Sequence, residues 1–547
     1  MSKKTFLIFL PFLFLLIFFY FPLLLVVKNS FISGDSQFSL NNFLLLFHDS
    51  YQVHVILFTL YQAFMSVILT LIIGIPAAFI FSYYDFPFKK ILKSMMMVPF
   101  ILPSIIVALG FILLFGNNGF INKFLAIFHQ KIFFLYSFKA ILVAHAFYNF
   151  PIILKMVSES LENFNQHFVE AAKSLGANNK IIFFKVILPG ILPTIINASM
   201  LVFVYCFMSF GVVLVLGSVK FTTIEVNIYM LVHNLLKINL GMALGAIQIF
   251  LSGIFLFFSI KLNNFQTKST KLIKGSKLIP HKINFKNIQN KPLFGIILIY
   301  TFFLIIIVLG PLVSVYYHSL FLDKHNHFGF NGVLIKKMLA NKYDPILGES
   351  VLSSIKNSIL LGLSTVFGSV SLSLLFGIFV IKLKKSSFWE MFATLPMGVS
   401  AVTFTLGYLY IIDNSVISFS RLLLVVIAHI ILAFPFVSRI ILQGLRNLDS
   451  HQIESAKILG ANNFMIFKKV ILPTIKGDIF AASTFAFGIS FGEIGAVSML
   501  QKNFTTIPIA IYRYIGTYHT KEATIMGVIQ ISVAVLIFYL SDSKKLT

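Results

Sequence analysis

The polar stretch EAAKSLGANN, residues 170–179, lies in a chain whose residues are mostly apolar. A close copy, ESAKILGANN, recurs at residues 454–463, an offset of 284 residues. In the first copy the residues before Gly176 favour a helix, and the glycine suits the left-handed backbone that ends one. Asn178 or Asn179 can cap a second helix directly afterwards. The repeat therefore predicts two polar helical hairpins in one chain.

The composition indicates a membrane protein. Of the 547 residues, 58% are hydrophobic and 11% are charged, and the mean hydropathy is +0.93. A soluble domain of this length cannot bury so much apolar surface. The only cysteine, Cys206, excludes internal disulfides and multi-cysteine metal sites. The net charge of +25 comes from lysines between apolar runs, which fits membrane orientation better than nucleic-acid binding.

We expect an all-α integral membrane protein with about 12 transmembrane helices, each long enough to cross the hydrocarbon layer. Most of the 43 Lys and Arg residues lie in segments on the same side as the N-terminus. The positive-inside rule therefore predicts that both termini are cytoplasmic. The predicted spans are residues 5–27, 54–83, 93–116, 140–157, 191–217, 240–260, 293–317, 357–381, 391–412, 422–442, 477–500 and 523–540.

The repeat extends beyond the hairpins. Each half holds six predicted spans, and an even number of spans gives both halves the same orientation, so they are two parallel six-helix repeats. The number of residues between matched positions of the two halves falls from 297 to 284 along the chain. The first half therefore carries about 13 extra residues in an outside loop. The matched segments are AHAFYNFP (144–151) with AHIILAFP (428–435), TTIEVNIY (222–229) with TTIPIAIY (505–512), and Pro99 and Gly110 with Pro396 and Gly407.

These boundaries divide the chain into three parts. The first half comprises residues 1–260 and the second half residues 293–547. Between them, residues 261–292 form a linker whose sequence up to residue 291 holds eight lysines and no acidic residue. Such a composition predicts a cytoplasmic segment held near anionic lipid head groups.

Each polar hairpin is suited to docking. The small residues Ala171 and Ala172 permit close approach by a partner, and Glu170 and Lys173 provide polar anchors at the edge. An amphipathic loop that only lies on the membrane surface is the alternative for a single copy. Two copies with the same spacing favour two equivalent partners on one face of the membrane.

Both hairpins resemble the EAA loop of the permease subunits of binding-protein-dependent ABC importers. That motif reads Glu-Ala-Ala, three residues, Gly, nine residues, an aliphatic residue, one residue and Leu-Pro. Ser455 replaces the middle alanine of the second copy, and valine stands at the aliphatic position in both. The motif residues are Glu170, Ala171, Ala172, Gly176, Val186, Leu188 and Pro189 in the first copy, and Glu454, Ser455, Ala456, Gly460, Val470, Leu472 and Pro473 in the second.

The resemblance implies a type I ABC importer permease fold in the bacterial inner membrane. In that family the loop, here residues 163–189 and 447–473, is a coupling helix that sits in a cleft of the ATPase. It implies two copies of an ABC ATPase, which use ATP and Mg, and a soluble substrate-binding protein, periplasmic or lipid-anchored. The chain has no G-x-x-x-x-G-K-[ST] phosphate loop, so we expect a transport subunit that is not an enzyme, holds no cofactor and binds no nucleic acid.

A permease with two fused six-span halves resembles the thiamine and ferric-iron branch of this family. The segments after the fifth and eleventh spans, residues 209–229 and 490–518, look like the matching parts of thiamine permeases. We therefore expect thiamine, with ferric iron as the first alternative and sulfate, molybdate, spermidine or putrescine behind it. Family members place most of their selectivity in the binding protein.

Two acidic residues are candidates for the translocation pathway. Glu493 lies late in the eleventh span, opposite Val212 in the repeat, and an acid at membrane depth marks a functional site by default. Thiamine is a cation that Glu493 would attract, and Glu225 near the outer mouth is the weaker candidate. The alternative is that Glu493 faces water or pairs with Arg513.

His145 and His429 recur at equivalent positions. A repeated histidine inside a helix is more often a packing or hydrogen-bonding residue than a ligand, and a ferric site needs carboxylates or tyrosines beside it. We expect no catalytic and no metal-binding residue. An ion-coupled secondary transporter is the alternative from another class, but it needs paired charges near the midplane, and the spans are nearly free of them.

Overall fold

The computed structural model describes residues 3–32, 37–273, 281–282, 291–321, 332–381, 386–414, 420–500 and 504–543. Up to residue 273 the helices are α1 (Lys3–Leu15), α2 (Phe21–Ser30), α3 (Asn41–His48), α4 (Ser50–Tyr83), α5 (Lys89–Met95), α6 (Val98–Ile101), α7 (Ser104–Phe115), α8 (Phe120–Ala126), α9 (Phe138–Glu162), α10 (Gln166–Ser174), α11 (Asn179–Ile182), α12 (Leu188–Phe207), α13 (Gly211–Leu216), α14 (Ile224–His233) and α15 (Ile238–Ile273).

The later helices are α16 (Lys291–Phe321), α17 (Gly332–Met338), α18 (Val351–Ile381), α19 (Ser386–Thr394), α20 (Ala401–Asn414), α21 (Arg421–Arg446), α22 (Ser450–Ile458), α23 (Asn463–Ile466), α24 (Leu472–Thr474), α25 (Lys476–Gly492), α26 (Gly495–Leu500), α27 (Ile507–Gly516) and α28 (Thr520–Ser543). In the described ranges, short π-helical turns join three helix pairs, at Leu16–Tyr20, Phe183–Ile187 and Phe467–Ile471. The same ranges hold four two-residue strands in two small pairs: β1 (Tyr84–Asp85) is parallel to β2 (His281–Lys282), and β3 (Tyr343–Asp344) is antiparallel to β4 (Glu349–Ser350).

The described residues contain ten helices that are long and apolar enough to cross a membrane. Two further pairs of helices pass the same test together but are bent, so the number of spans reaches 12 if each pair counts as one. The expectation of an all-α membrane protein with about 12 spans is therefore confirmed.

Two spans predicted as continuous runs, 391–412 and 477–500, are broken, and the equivalent spans 93–116 and 191–217 of the first repeat are also divided into separate helices. In the first, a 3₁₀ turn at Leu395–Gly398 precedes α20, and the helices on its two sides meet at 89°. Pro396 lies in that turn and has no N–H for a helix ladder, and Val399 after it is extended. In the second, α25 ends at Gly492 and α26 begins only at Gly495, and the 71° bend between α24 and α25 lies just before the predicted span.

The predicted linker differs in part from the structure. Residues 261–273 continue α15 as helix, and His281 and Lys282 form β2. The rest of the linker up to residue 290 lies outside the described residues, so the interpretation of that segment stays a prediction.

The chain forms two compact units. The first comprises Met1–His48, Asn227–Ile249 and Ser319–Thr547, and the second comprises Asp49–Val226 and Phe250–His318. The opening helices of the sequence, α1 and α2, thus lie in the unit built mainly from the second repeat. Conversely, most of α16, the first helix of the second repeat, lies in the unit built mainly from the first.

In each unit, a glycine of the third span packs closely against the helix that comes from the other repeat. A Cβ added at Gly110 of α7 would lie 2.7 Å from Cβ of Pro311 in α16, and one at Gly407 of α20 would lie 2.7 Å from Cβ of Pro22 in α2. Ser314 also donates a hydrogen bond to the carbonyl of Gly110 at 3.3 Å. The repeated glycine is therefore explained by a close helix crossing.

The core of each unit is a three-helix packing that leads to a polar hairpin. In the second unit α4, α9 and α12 pack together, and Gln62 donates a hydrogen bond to the carbonyl of Cys206 at 2.9 Å. In the first unit the equivalent helices α18, α21 and α25 bury Val370, Val437 and Ala482 against each other. Each hairpin thus extends directly from its unit's core.

Candidate coupling hairpins and pathway residues

The first hairpin has the local structure that its sequence predicts. The side chain of Asn165 caps α10 by accepting a backbone N–H two residues on, at 3.0 Å. After α10 the backbone of Gly176 is left-handed, with φ of 80°. The N–H of Gly176 bonds to the carbonyl of Lys173, and the N–H of Ala177 to that of Ala172. This pattern satisfies carbonyls at the helix end and fixes the tight bend.

A second helix starts directly after the bend. The side chain of Asn178 accepts the N–H of Ile181 at 2.9 Å and so caps α11. A π-helical turn, Phe183–Ile187, then leads into α12, the membrane helix behind the hairpin. The predictions of a left-handed Gly176 and an asparagine cap are both confirmed.

The second hairpin repeats each of these elements at the offset of 284. Asp449 caps α22, Gly460 has φ of 79°, and Asn462 caps α23 by accepting the N–H of Met465 at 2.8 Å. The π-helical turn recurs at Phe467–Ile471. The two hairpins therefore share one backbone geometry although their side chains differ.

Both hairpins present motif residues and apolar side chains to the surface. In the first hairpin Glu170, Ala171 and Gly176 are exposed and Ala172 is half-buried. In the second, Glu454, Ser455 and Gly460 are exposed and Ala456 is half-buried. At the bend, Leu175 is 88% exposed and Leu459 is 86% exposed. Ion pairing at the motif glutamates is weak: His167 lies 3.4 Å from Glu170 and His451 lies 3.9 Å from Glu454. Exposed leucines beside small residues form a surface suited to a protein partner.

The base of each hairpin is packed against the membrane helices. Phe164, just before α10, is 3% exposed, and its ring fills the space beside Gly190 of α12. At the equivalent place Leu448 packs on the core between α21 and α25. Ser160 and Thr194 also bond at 3.1 Å between α9 and α12. A displacement of the hairpin must therefore move the helices behind it.

Glu493 lies at the break between α25 and α26. Its Oε1 accepts the N–H groups of Gly495 at 2.6 Å and Ala496 at 3.1 Å, so this half-buried carboxylate caps the half-helix α26. The first residues of α13 and α26, Gly211 and Gly495, are 284 apart, which puts Glu493 opposite Ser209 and not opposite Val212 as the sequence alignment had it.

The pairing of Glu493 with Arg513 that the sequence left open is not formed. Arg513 donates to the carbonyl of Leu347 at 2.6 Å and to the hydroxyl of Thr505 at 3.2 Å. Glu225 is fully buried in the first turn of α14, where a helix N-terminus favours negative charge. Glu225 and Glu493 belong to different units.

Sequence reasoning missed a repeated hydroxyl that supports each short helix after the broken spans. Thr59 of α4 accepts the N–H of Ile224, the first residue of α14, at 2.9 Å. Ser358 of α18 accepts the N–H of Ile507, the first residue of α27, at 2.8 Å. The two hydroxyl residues differ in type, so only the alignment of TTIEVNIY with TTIPIAIY could have indicated a common partner.

The repeated histidines are hydrogen-bonding residues of the core, as predicted. Nδ1 of His145 lies 3.0 Å from the hydroxyl of Ser66, and Nδ1 of His429 lies 2.8 Å from that of Ser490. Cys206 stands where the second repeat has Ser490, and Asn149 donates to its sulfur at 3.3 Å. Among the described residues, no group of three or more His, Cys, Asp or Glu side chains is placed to hold a metal ion.

Comparison with known proteins gives two matches to one family. The family of the binding-protein-dependent transport system inner membrane component matches residues 70–268 and again residues 346–542. Among solved structures, a chain of a bacterial ABC transporter involved in the import of the acidic polysaccharide alginate is similar at a TM-score of 0.40 and 19% identity. The similarity covers 47% of this chain and 92% of that chain.

Relatives match along most of the sequence. The thiamine transport system permease protein ThiP of Salmonella typhimurium is 24% identical over 505 residues, which cover 91% of this chain and 90% of the relative. ThiP of Haemophilus influenzae is 26% identical over 504 residues, covering 90% and 88%. The sulfate transport system permease protein CysT of Salmonella typhimurium is 32% identical over 219 residues, 40% of this chain and 77% of the relative. By its two family matches the chain belongs to the binding-protein-dependent transport system inner membrane components, and it is a multi-pass permease of an ABC importer.

Proposed function

We propose that this permease imports thiamine. A soluble binding protein delivers the solute to the outer face, and two copies of an ABC ATPase bind the hairpins on the cytoplasmic face. ATP and Mg act on those ATPase subunits, and this chain supplies the pathway. The two termini lie in the cytoplasm, and the two permease halves are residues 1–260 and 293–547.

The solute assignment rests on the relatives that match both halves. Two proteins named for thiamine transport align over about nine tenths of this chain, whereas the sulfate permease aligns over 40% of it. Glu493, at the break in the eleventh span, gives the pathway a carboxylate that attracts a cation, and Glu225 is a second acid in the other unit.

The ATPase assignment rests on the paired hairpins. Each offers an exposed glutamate, Glu170 or Glu454, small residues beside it, and an exposed leucine at the bend. Closure of the two ATPases on ATP would push both hairpins together and open the pathway to the binding protein. Hydrolysis would then return the cavity to the cytoplasm.

The deciding experiment is uptake into proteoliposomes that contain this chain, its ATPase and its binding protein. Labelled thiamine, ferric iron and sulfate are compared with and without ATP. We expect ATP-dependent accumulation of thiamine alone. Accumulation of iron or sulfate instead would change the proposed solute but not the assignment as an ABC importer. Uptake that follows an ion gradient without ATP would favour the secondary transporter.

A further inference from the structure

Two ion pairs occupy equivalent positions in the two repeats with their charges exchanged. In the first, Nζ of Lys93 lies 2.7 Å from Oε1 of Glu162. In the second, Nη2 of Arg446 lies 2.5 Å from Oε1 of Glu390. Lys93 and Glu390 are 297 residues apart, and Glu162 and Arg446 are 284 apart. These are the offsets that align the repeats on either side of the extra loop, so each acid stands where the other repeat has a base.

Both pairs join the same two elements. Glu162 and Arg446 are the last residues of α9 and α21, and the hairpin helices begin only four residues later, at Gln166 and Ser450. The other partners lie on short helices, Lys93 on α5 and Glu390 on α19. Each short helix leads into the third span of its repeat, which is interrupted near a proline. Each ion pair thus connects the base of a hairpin to the entrance of a broken span.

Stability alone gives little reason for such pairs. The four side chains are between 29% and 48% exposed, and ion pairs at that exposure contribute little to folding because water screens them. The two repeats differ in which of the two elements carries the acid and which carries the base. They share a direct charge contact between the same two elements.

We infer that the two ion pairs, Lys93–Glu162 and Glu390–Arg446, are positioning contacts that make the short helix before the third span move with the base of the coupling hairpin. This inference rests on the proposed role of the hairpins in ATPase docking. The base of the first hairpin is already packed against α12, and the base of the second against the core of α21 and α25. The ion pairs add a second mechanical connection, from the first hairpin to α5–α7 and from the second to α19–α20. A hairpin displacement then reaches both the span behind it and the span that carries the glycine crossing.

The exchanged polarity makes a direct test possible, because each repeat carries the charge-swapped form of the other. The variants are Lys93→Glu, Glu162→Lys and the double variant in the first repeat, and Glu390→Arg, Arg446→Glu and their double variant in the second. Lys90→Glu is the matched control, since Lys90 is an exposed lysine of the same helix α5. Each variant is assembled with the ATPase and binding protein in proteoliposomes, and ATP hydrolysed is measured per molecule of thiamine accumulated.

We expect each single reversal to raise the ATP used per thiamine by roughly fivefold or more, the size of a typical coupling between sites. The double variants should return to within about twofold of the wild type, because the charge contact is restored. Lys90→Glu should leave the ratio unchanged. Unchanged ratios in all single reversals would overturn the inference, as would double variants no better than the singles.

A merely structural role predicts a different result. It would lower the yield and the thermal midpoint of the single variants in detergent while leaving the ATP-to-thiamine ratio at the wild-type value, and that outcome also contradicts the inference. Failure of the proposed function is separate, since it would be seen as absent ATP-dependent thiamine uptake by the wild-type protein.

Discussion

Glu493 and Gly495 are joined by a hydrogen bond of 2.6 Å that spans the break between α25 and α26. The carboxyl group is therefore held at the N-terminus of the half-helix α26 inside the eleventh span, where it accepts two backbone N–H groups. This contact allows the structural role of Glu493 to be separated from any effect on a cationic solute.

Glu493→Gln keeps an oxygen that accepts both N–H groups but removes the charge. We expect it to fold like the wild type and to reduce thiamine uptake by roughly tenfold, which corresponds to about 1.4 kcal/mol. Glu493→Ala also loses the cap and should be destabilised by about 1 kcal/mol. Uptake by proteoliposomes and thermal unfolding in detergent measure the two effects. Glu159→Gln, an exposed acid of α9, is the control, and equal uptake by Glu493→Gln and this control would exclude a charge effect.

The left-handed glycines of the hairpins give a second prediction. Gly176→Ala and Gly460→Ala force an L-residue to φ near 80°, which costs roughly 1–2 kcal/mol per site. We expect a distorted bend, weaker ATPase binding and lower transport in a protein that still inserts. Pull-down of the ATPase from detergent solution measures the binding. Gly477→Ala is the control, because this helical glycine has open space around it and alanine is the better helix former.

The exposed surface of the hairpins gives a third prediction. Glu170→Arg reverses a motif charge and Leu175→Glu places a charge at the apolar bend, so both should reduce ATP-driven uptake without loss of membrane insertion. Loss of a single interface contact of this kind typically costs about 1–2 kcal/mol in binding. Lys180→Glu, an exposed charge change elsewhere on the hairpin, is the comparison. If uptake stays at the wild-type rate in both test variants, the hairpins do not dock the ATPase.

The glycines of the third spans give a fourth prediction. A methyl group at Gly110 or Gly407 would overlap with Pro311 or Pro22, so each Gly→Ala change should cost about 1–3 kcal/mol through overpacking. Gly253→Ala, on α15 with no atom within 4 Å of the added Cβ, should not destabilise. Thermal midpoints in detergent compare the three variants, and equal midpoints would mean that the exchanged helices do not pack as closely as described.

The repeated hydroxyl caps give a fifth prediction. Thr59→Val leaves the N–H of Ile224 without its partner in a buried place, which costs about 1–3 kcal/mol, whereas Thr59→Ser keeps the bond. Thr70→Val on the same helix is the control, because its hydroxyl bonds only to the carbonyl of Ser66, and that carbonyl keeps its helical partner. Thermal unfolding should rank Thr59→Val below the other two. A midpoint for Thr59→Val equal to that of Thr70→Val would contradict this cap.

The hairpins were predictable because their determinants are local. Gly176 sits where the chain needs a left-handed residue, and Asn178 follows it at the distance that a helix cap requires, so a decapeptide specifies the bend. The repeat then predicted the second copy.

The breaks in the spans were harder to see. Hydropathy depends on composition and not on backbone direction, so the run at 391–412 reads as one span although Pro396 interrupts it.

The charge-exchanged ion pairs could not be predicted from the sequence, for another reason. Lys93 and Glu162 are 69 residues apart, and alignment of the repeats matches each of them with a residue of opposite charge. The sequence singled out Glu493 as an acid within an apolar span, but its capping role depends on a break that the sequence did not predict.

The exchange of opening helices has a consequence for biosynthesis. Tyr20, at the end of the π-helical turn before α2, donates a hydrogen bond to the carbonyl of Phe392, which lies 372 residues later. At roughly 5–20 residues per second, the ribosome needs on the order of 20–75 s to make the intervening chain. The first helix must therefore wait in the bilayer until its partners have been translated, and any quality-control protease that recognises unassembled spans has that interval in which to act.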